Sequence, residues 1–271
     1  MTRPHRTLTA VALIACTLLP GPSLAHEFWI DAQPDLTADL RVGQDFSGSA
    51  LPYLDRTIAA MTHVAPDGDT AITARLGDIP AIAGLAPPTD GLHLLTVETR
   101  PAYVVFDTLP EFEDYLAYEG LAPVAQRHRE RDLPETEIAE EYLRNARALV
   151  QVGPVRDGDT DRPTGLPLEL VVDGTPFADD GAPLDLRLTW QGEPVPDTQV
   201  ALFYLPDGGT APTDTMRKLA TTDADGTVRF DPEGPGSYLF NAVRITPADG
   251  PGSVVWQSHW ASLTFDLSGG D

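Results

Sequence analysis

Apolar residues along this chain recur mostly with a period of two, in short runs cut by Gly, Pro and Asp. Such alternation sends successive side chains to opposite faces and predicts half-buried strands. The runs Glu27–Ile30, Ala38–Val42, Ile58–Val64, Leu92–Thr99 and Ala102–Phe106 read this way. Pro66-Asp67-Gly68-Asp69 sits between Ile58–Val64 and Thr70–Leu76. Its proline presets φ and its glycine takes a positive one, so the two runs predict a hairpin. Later in the chain Leu184, Leu186, Leu188 and Trp190 alternate with Asp185, Arg187 and Thr189, and Thr198–Leu205 follows a Gly/Pro turn. Thr221 to Phe230 predicts a second hairpin around Asp225-Gly226. Ser237–Thr246 and Val254–Leu267 supply the closing strands.

Between these β stretches the period changes. Phe112, Tyr115 and Leu116 share one side of a helix over Glu111–Glu119, with Gly120 as a stop. Pro134-Glu135-Thr136-Glu137 reads as the start of a second helix, with acids in its first turn and Ile138, Tyr142 and Leu143 as its apolar face. The basic run Arg127-His128-Arg129-Glu130-Arg131 reads as a solvated helix face paired with the acids of 111–119, which leaves His128 exposed. Asp157-Gly158-Asp159-Thr160-Asp161 alternates acids as a calcium loop does. Arg162 stands where that loop needs glycine and Leu168 where it needs glutamate, so the stretch reads as a flexible acidic connector. The fold class expected is mainly β: two β-sandwich-like units with a short α-helical insertion between them. The divisions are an N-terminal β domain at 26–108, the helical insertion at 109–147, a strand and acidic connector at 148–165, and a C-terminal sandwich at 166–271.

Residues 1–25 read as an export signal: Arg3 and Arg6, an apolar run from Leu8 to Leu19, a Pro20-Gly21-Pro22 break, and small residues at Ser23 and Ala25 for cleavage. Cleavage after Ala25 makes the mature protein periplasmic or secreted. Leu13-Ile14-Ala15-Cys16 also fits a lipoprotein box, which would place a lipid on Cys16 and leave His26 internal. No later stretch is apolar for long enough to span a membrane as a helix. Cys16 is the single cysteine, so the mature chain has neither a disulfide nor a thiolate metal site. The net charge of −23 repels nucleic acid and anionic lipid and draws cations to the surface.

The catalytic search is empty, and the protein is expected not to be an enzyme. There is no nucleophile elbow, phosphate-cradling glycine loop, zinc-protease helix or cysteine nucleophile. Binding chemistry centres on histidine. Once cleavage frees the amine of His26, that amine and the imidazole can chelate one ion, and His93 or His63 would complete a copper-type brace or a nickel site. His93 shares a strand face with Leu95 and Val97, and His63 with Met61 and Ala59. His259 falls in phase with Ala261, Leu263 and Phe265 and is expected to point toward a core or cleft. A different reading is a non-catalytic interaction module that holds a protein or polysaccharide, with Trp29, Trp256 and Trp260 as an aromatic platform.

His26-Glu27-Phe28-Trp29-Ile30 after an export signal, Phe112-Glu113-Asp114-Tyr115-Leu116, Glu119-Gly120-Leu121, Tyr142 to Val150, and Trp256 to Phe265 occur in order over nearly the whole mature chain. In this the sequence resembles the domain-of-unknown-function 4198 family of exported bacterial proteins, some of which are described as nickel or cobalt uptake components. The segments Gly192–Tyr204, Thr221–Asp231 and Gly236–Arg244 resemble a carboxypeptidase-regulatory or prealbumin-like sandwich. The resemblance implies periplasmic metal handling, with nickel or cobalt as the ion and a membrane transporter component as partner. The chemistry of His26 itself suits copper.

Overall fold

The computed structural model describes residues 26–86, 88–178, 181–248 and 252–267. Residues 1–25, on which the expected export signal and Cys16 fall, lie outside them. Strand accounts for 52% of the chain and helix for 8%, so the fold is mainly β, as the alternation predicts. No helix among the described residues is long and apolar enough to cross a membrane.

The chain opens with β1 (Glu27–Ala32), β2 (Ala38–Gln44) and β3 (Ser47–Leu51), an antiparallel sheet of their own. There follow β4 (Ile58–Ala65), β5 (Gly68–Ala71), β6 (Gly91–Thr99) and β7 (Ala102–Thr108). The predicted hairpin at Pro66-Asp67 joins β4 to β5, with Ala65 opposite Gly68. Two helices come next, α1 (Leu109–Tyr118) and α2 (Ala122–Glu130), and then the long β8 (Thr136–Val152). The second half contributes β9 (Leu168–Val172), β10 (Leu184–Trp190), β11 (Glu193–Pro194), β12 (Gln199–Pro206), β13 (Met216–Thr221), β14 (Thr227–Phe230), β15 (Gly236–Pro247) and β16 (Val254–Leu267).

These strands form three layers. In the middle a nine-stranded sheet runs β13-β12-β15-β16-β8-β6-β4-β5, with β7 also paired to β8. β6 and β7 act as one strand interrupted at Arg100-Pro101, because both pair antiparallel with the same edge of β8. One face of the central sheet packs on β9, β10 and β14 through Leu94, Leu149, Leu202, Phe240 and Leu263. The other face is covered by β1 and β2 through Phe28, Ile30 and Leu40, and by the helices through Phe112, Leu116 and Val124. Strands from residues 58–152 and from residues 199–267 are thus hydrogen-bonded into one sheet, through the parallel pairing of β8 with β16.

Two expectations are corrected. The second helix expected from Pro134 is strand β8; the helix lies earlier, over α2, with a proline in its first turn. Ala, Glu, Leu and Arg favour a helix at 138–149, but the ladders to β16 on one edge and to β6 and β7 on the other override that propensity. The segment Thr221–Phe230 is not a hairpin. The turn at Asp223–Gly226 forms, with Gly226 N–H donating to Asp223 O at 3.0 Å. Its flanking strands then part, β13 joining β12 in the central sheet and β14 joining β10 in the small one.

The acidic connector is anchored rather than loose. Arg147 of β8 is fully buried and meets Asp161 in a two-pronged ion pair, Nη2 to Oδ1 at 2.7 Å and Nη1 to Oδ2 at 3.1 Å. Its Nε stands 3.1 Å from Glu169 Oε1, and its remaining N–H groups reach the Leu170 and Arg162 carbonyls. Asp161 in turn accepts from Val172 N–H at 2.8 Å, and Glu169 from Thr164 N–H at 2.7 Å. Removing one partner of such a pair strands a buried charge, so Asp161→Ala is expected to lower stability by about 3–5 kcal/mol in urea unfolding. Asp185→Ala, which breaks the exposed pair with Arg229, should cost under about 1 kcal/mol.

Candidate functional site: a histidine pair and a buried acid network

Two of the three candidate metal ligands come together. His63 on β4 lies opposite Leu95 of β6, which puts His93 on the neighbouring diagonal of the same face. His63 Nε2 stands 2.9 Å from His93 Nδ1, with the rings stacked at 5.1 Å between centroids. His93 Nε2 is 2.7 Å from the Thr89 carbonyl oxygen, which can only accept, so that nitrogen carries the ring proton. His93 Nδ1 is then an acceptor, His63 Nε2 donates to it, and His63 Nδ1 keeps a free lone pair. His93 is buried and His63 half-buried. Burial, followed by His93, holds the His63 pKa below its ordinary value, while Asp67 and Asp69 pull it the other way.

His26 stands apart from this pair. It immediately precedes β1, and its carbonyl accepts from Arg144 Nη2 at 3.1 Å. Arg144 belongs to β8, as does Val150, the partner of His93; roughly 20 Å of extended strand separates them. Burial first and the Arg144 charge second hold the His26 pKa down. That guanidinium also repels a cation arriving at the ring. Among the described residues no three His, Cys, Asp or Glu side chains are gathered as a metal cage.

His128, His259 and the tryptophans are structural. His128 is buried, correcting its expected exposure: Trp256 Nε1 donates to its Nδ1 at 3.0 Å, and its Nε2 donates to Pro134 O at 2.8 Å. The rest of the basic run is exposed, but only Arg129 pairs with an acid of 111–119, Glu113, while Arg127 and Arg131 lie over the Trp256 ring. His259 points inward and packs against Trp190 at 4.5 Å. Trp29, Trp256 and Trp260 are all buried, so they form no platform.

A second assembly escaped the sequence reading. Where β1, α1 and the central sheet meet, Glu27, Glu119, Glu140, Tyr115 and Asn241 are buried, with half-buried Arg144, Arg217 and Tyr118 beside them. Tyr115 Oη donates to Glu140 Oε1 at 3.2 Å, and Ser258 Oγ donates to the same oxygen. Asn241 Nδ2 donates to Glu119 Oε2 at 3.3 Å. Arg217 lies 3.9 Å above the Tyr118 ring and donates to the Tyr118 carbonyl at 2.8 Å. The second oxygen of each glutamate has no protein partner. Burial pushes Glu27 and Glu140 up to about 7, and burial followed by the Glu27 charge pushes Glu119 well above the carboxylate range. Three carboxylates face two guanidiniums, so full ionisation would leave one buried negative charge without a counter-charge. The sequence did carry a signal: Glu27 opens Glu27-Phe28-Trp29-Ile30, a run whose other side chains are apolar and buried.

Raised carboxylate pKa values mean that the folded state holds protons which the unfolded chain releases near 4.5. Stability therefore falls as pH rises from about 4.5 to about 7, and this effect is complete above that. Glu140→Gln removes one such group. At about pH 8 it should unfold at higher denaturant than the parent, by up to about 3 kcal/mol, with a shallower decline between about pH 5 and 7. Denaturant titrations across pH check both.

No curated protein matches the chain. A family model, described as Domain of unknown function (DUF4198), matches residues 23–246. The match takes in all three candidate histidines and the three buried glutamates. The chain therefore belongs to the DUF4198 family.

Proposed function

We propose that the protein is an exported, non-catalytic binding protein that takes up a transition-metal ion, nickel, cobalt or copper, at the His63–His93 pair and serves as an accessory to its uptake. The observation that carries this reading is the 2.9 Å separation of two imidazole nitrogens on adjacent strands. Imidazole suits these ions, and nitrogen ligands sit about 2.0–2.1 Å from a bound metal of this kind. An ion seated there takes the place of the proton between the rings, with His63 Nδ1 turned outward. The lowered His63 pKa keeps the ring unprotonated near neutrality, and the charge of −23 enriches cations around it. A site of two imidazoles is open on its remaining sides, which suits an ion that is handed on rather than stored.

Isothermal titration with Ni²⁺, Co²⁺ and Cu²⁺ tests this. His63→Ala and His93→Ala should each weaken binding at least about tenfold, about 1.4 kcal/mol, while His26→Ala binds as the parent does. Loss of affinity in His26→Ala alone would move the site to the amino-terminal chelate, and unchanged affinity in all three would remove the metal reading.

A further inference from the structure

β8 and β16 form the one parallel pairing among the described strands, and their ladder stops at Thr264 opposite Ala148. Both strands run on, to Val152 and Leu267, each keeping its other neighbour. Parallel strands that diverge at their carboxyl ends leave a crevice, the geometry that seats ligands in open α/β sheets. Here two cavities of 230 Å³ and 680 Å³ occupy it and share Ala32, Leu149 and Asp266 as lining.

The two chambers differ in chemistry. Buried Trp29, Tyr238 and Phe265 and half-buried Phe46 border the inner one. Phe46 sits at φ 58, uncommon for an aromatic residue, and that turn sets its ring edge-on to Trp29 at 6.0 Å. Two carboxylates, Asp31 and Asp266, also line this chamber. Arg41 is there too, but it is bound to Asp31 at 2.6 Å and Asp39 at 3.0 Å. Asp266 has no cationic partner among the described residues; Ser237 bonds its carboxylate, and Asp31 and Asp207 add negative potential around it. The outer chamber has apolar walls at Pro34, Pro176, Phe177, Leu184 and Pro235, with Gln151 and Asp266 as its polar side chains.

We infer that this crevice binds a small organic cation with an apolar body, an alkyl- or arylammonium ion whose charged head lies against Asp266. A carboxylate without a cationic partner attracts an ammonium, and an apolar wall beside it takes the tail. The outer chamber falls in the size range of small-molecule sites and offers apolar surface for the tail. A carboxylate ligand would meet the repulsion of Asp31, Asp207 and Asp266. A neutral apolar ligand would fill the outer chamber and leave Asp266 unpaired. This site is independent of the histidine pair.

Titration calorimetry of the mature chain with hexylammonium, hexanol and hexanoate separates head from tail. Hexylammonium should bind at least tenfold more tightly than hexanol, and hexanoate more weakly than either. Asp266→Asn should erase the ammonium advantage and leave hexanol binding unchanged. Asp266→Lys should reverse the preference toward hexanoate, and Phe177→Ala should weaken hexylammonium and hexanol alike. Unfolding midpoints identify which variants are folded. No hexylammonium binding to the parent, an ammonium no tighter than hexanol, or a preference that survives both Asp266 variants overturns the proposal.

Discussion

Arg147 reaches from the middle of the central sheet toward the small one, and what it meets there joins the two halves of the chain. Asp161 and Glu169 flank its guanidinium, and each is itself held by backbone or side-chain donors of the connector and of β9. A fully buried guanidinium tolerates no loss of these partners, because apolar surroundings magnify any uncompensated charge. That requirement pins the connector, aligns β9 against the central sheet, and thereby positions β10 and β14, which close the core on that side. A stretch with the composition of a loose acidic linker is the joint of the molecule.

The opposite face follows a different logic. There β1 and the two helices cover the sheet as separate apolar patches, and a polar network fills the seam where the patches meet. The network is short of positive charge by one, so protons complete it, and its pH response is a property of how β1 and α1 are seated. The metal reading depends on neither joint. It rests on two rings that neighbouring strands bring together on the rim of the sheet.

Much of the fold was legible from local pattern. Alternation placed β4, β10, β15 and β16, the turn at Pro66-Asp67 placed a hairpin, and Phe112, Tyr115 and Leu116 placed α1, each because side-chain periodicity alone decides which face is buried. Strand β8 was legible only at its end, from 148 to 152; its earlier residues favour a helix, and only ladders on both of its edges make them extended. Nor was the parting of β13 from β14, because the turn between them is locally identical whether its arms pair with one another or with different sheets.

The site divides in the same way. Sequence by itself determined the residue types: imidazoles at 26, 63 and 93, a surplus of acid, a single cysteine at 16 and no catalytic motif. Only the tertiary structure decided which of them meet. It set His63 against His93, left His26 beside Arg144, and drew Glu27, Glu119 and Glu140 from three distant segments into one buried seam. Strand register and layer packing act between segments far apart in the chain, and they leave no trace in the local order of residues. That order announces a strand at His26-Glu27-Phe28-Trp29-Ile30; the fold alone gives its glutamate a buried charge to share.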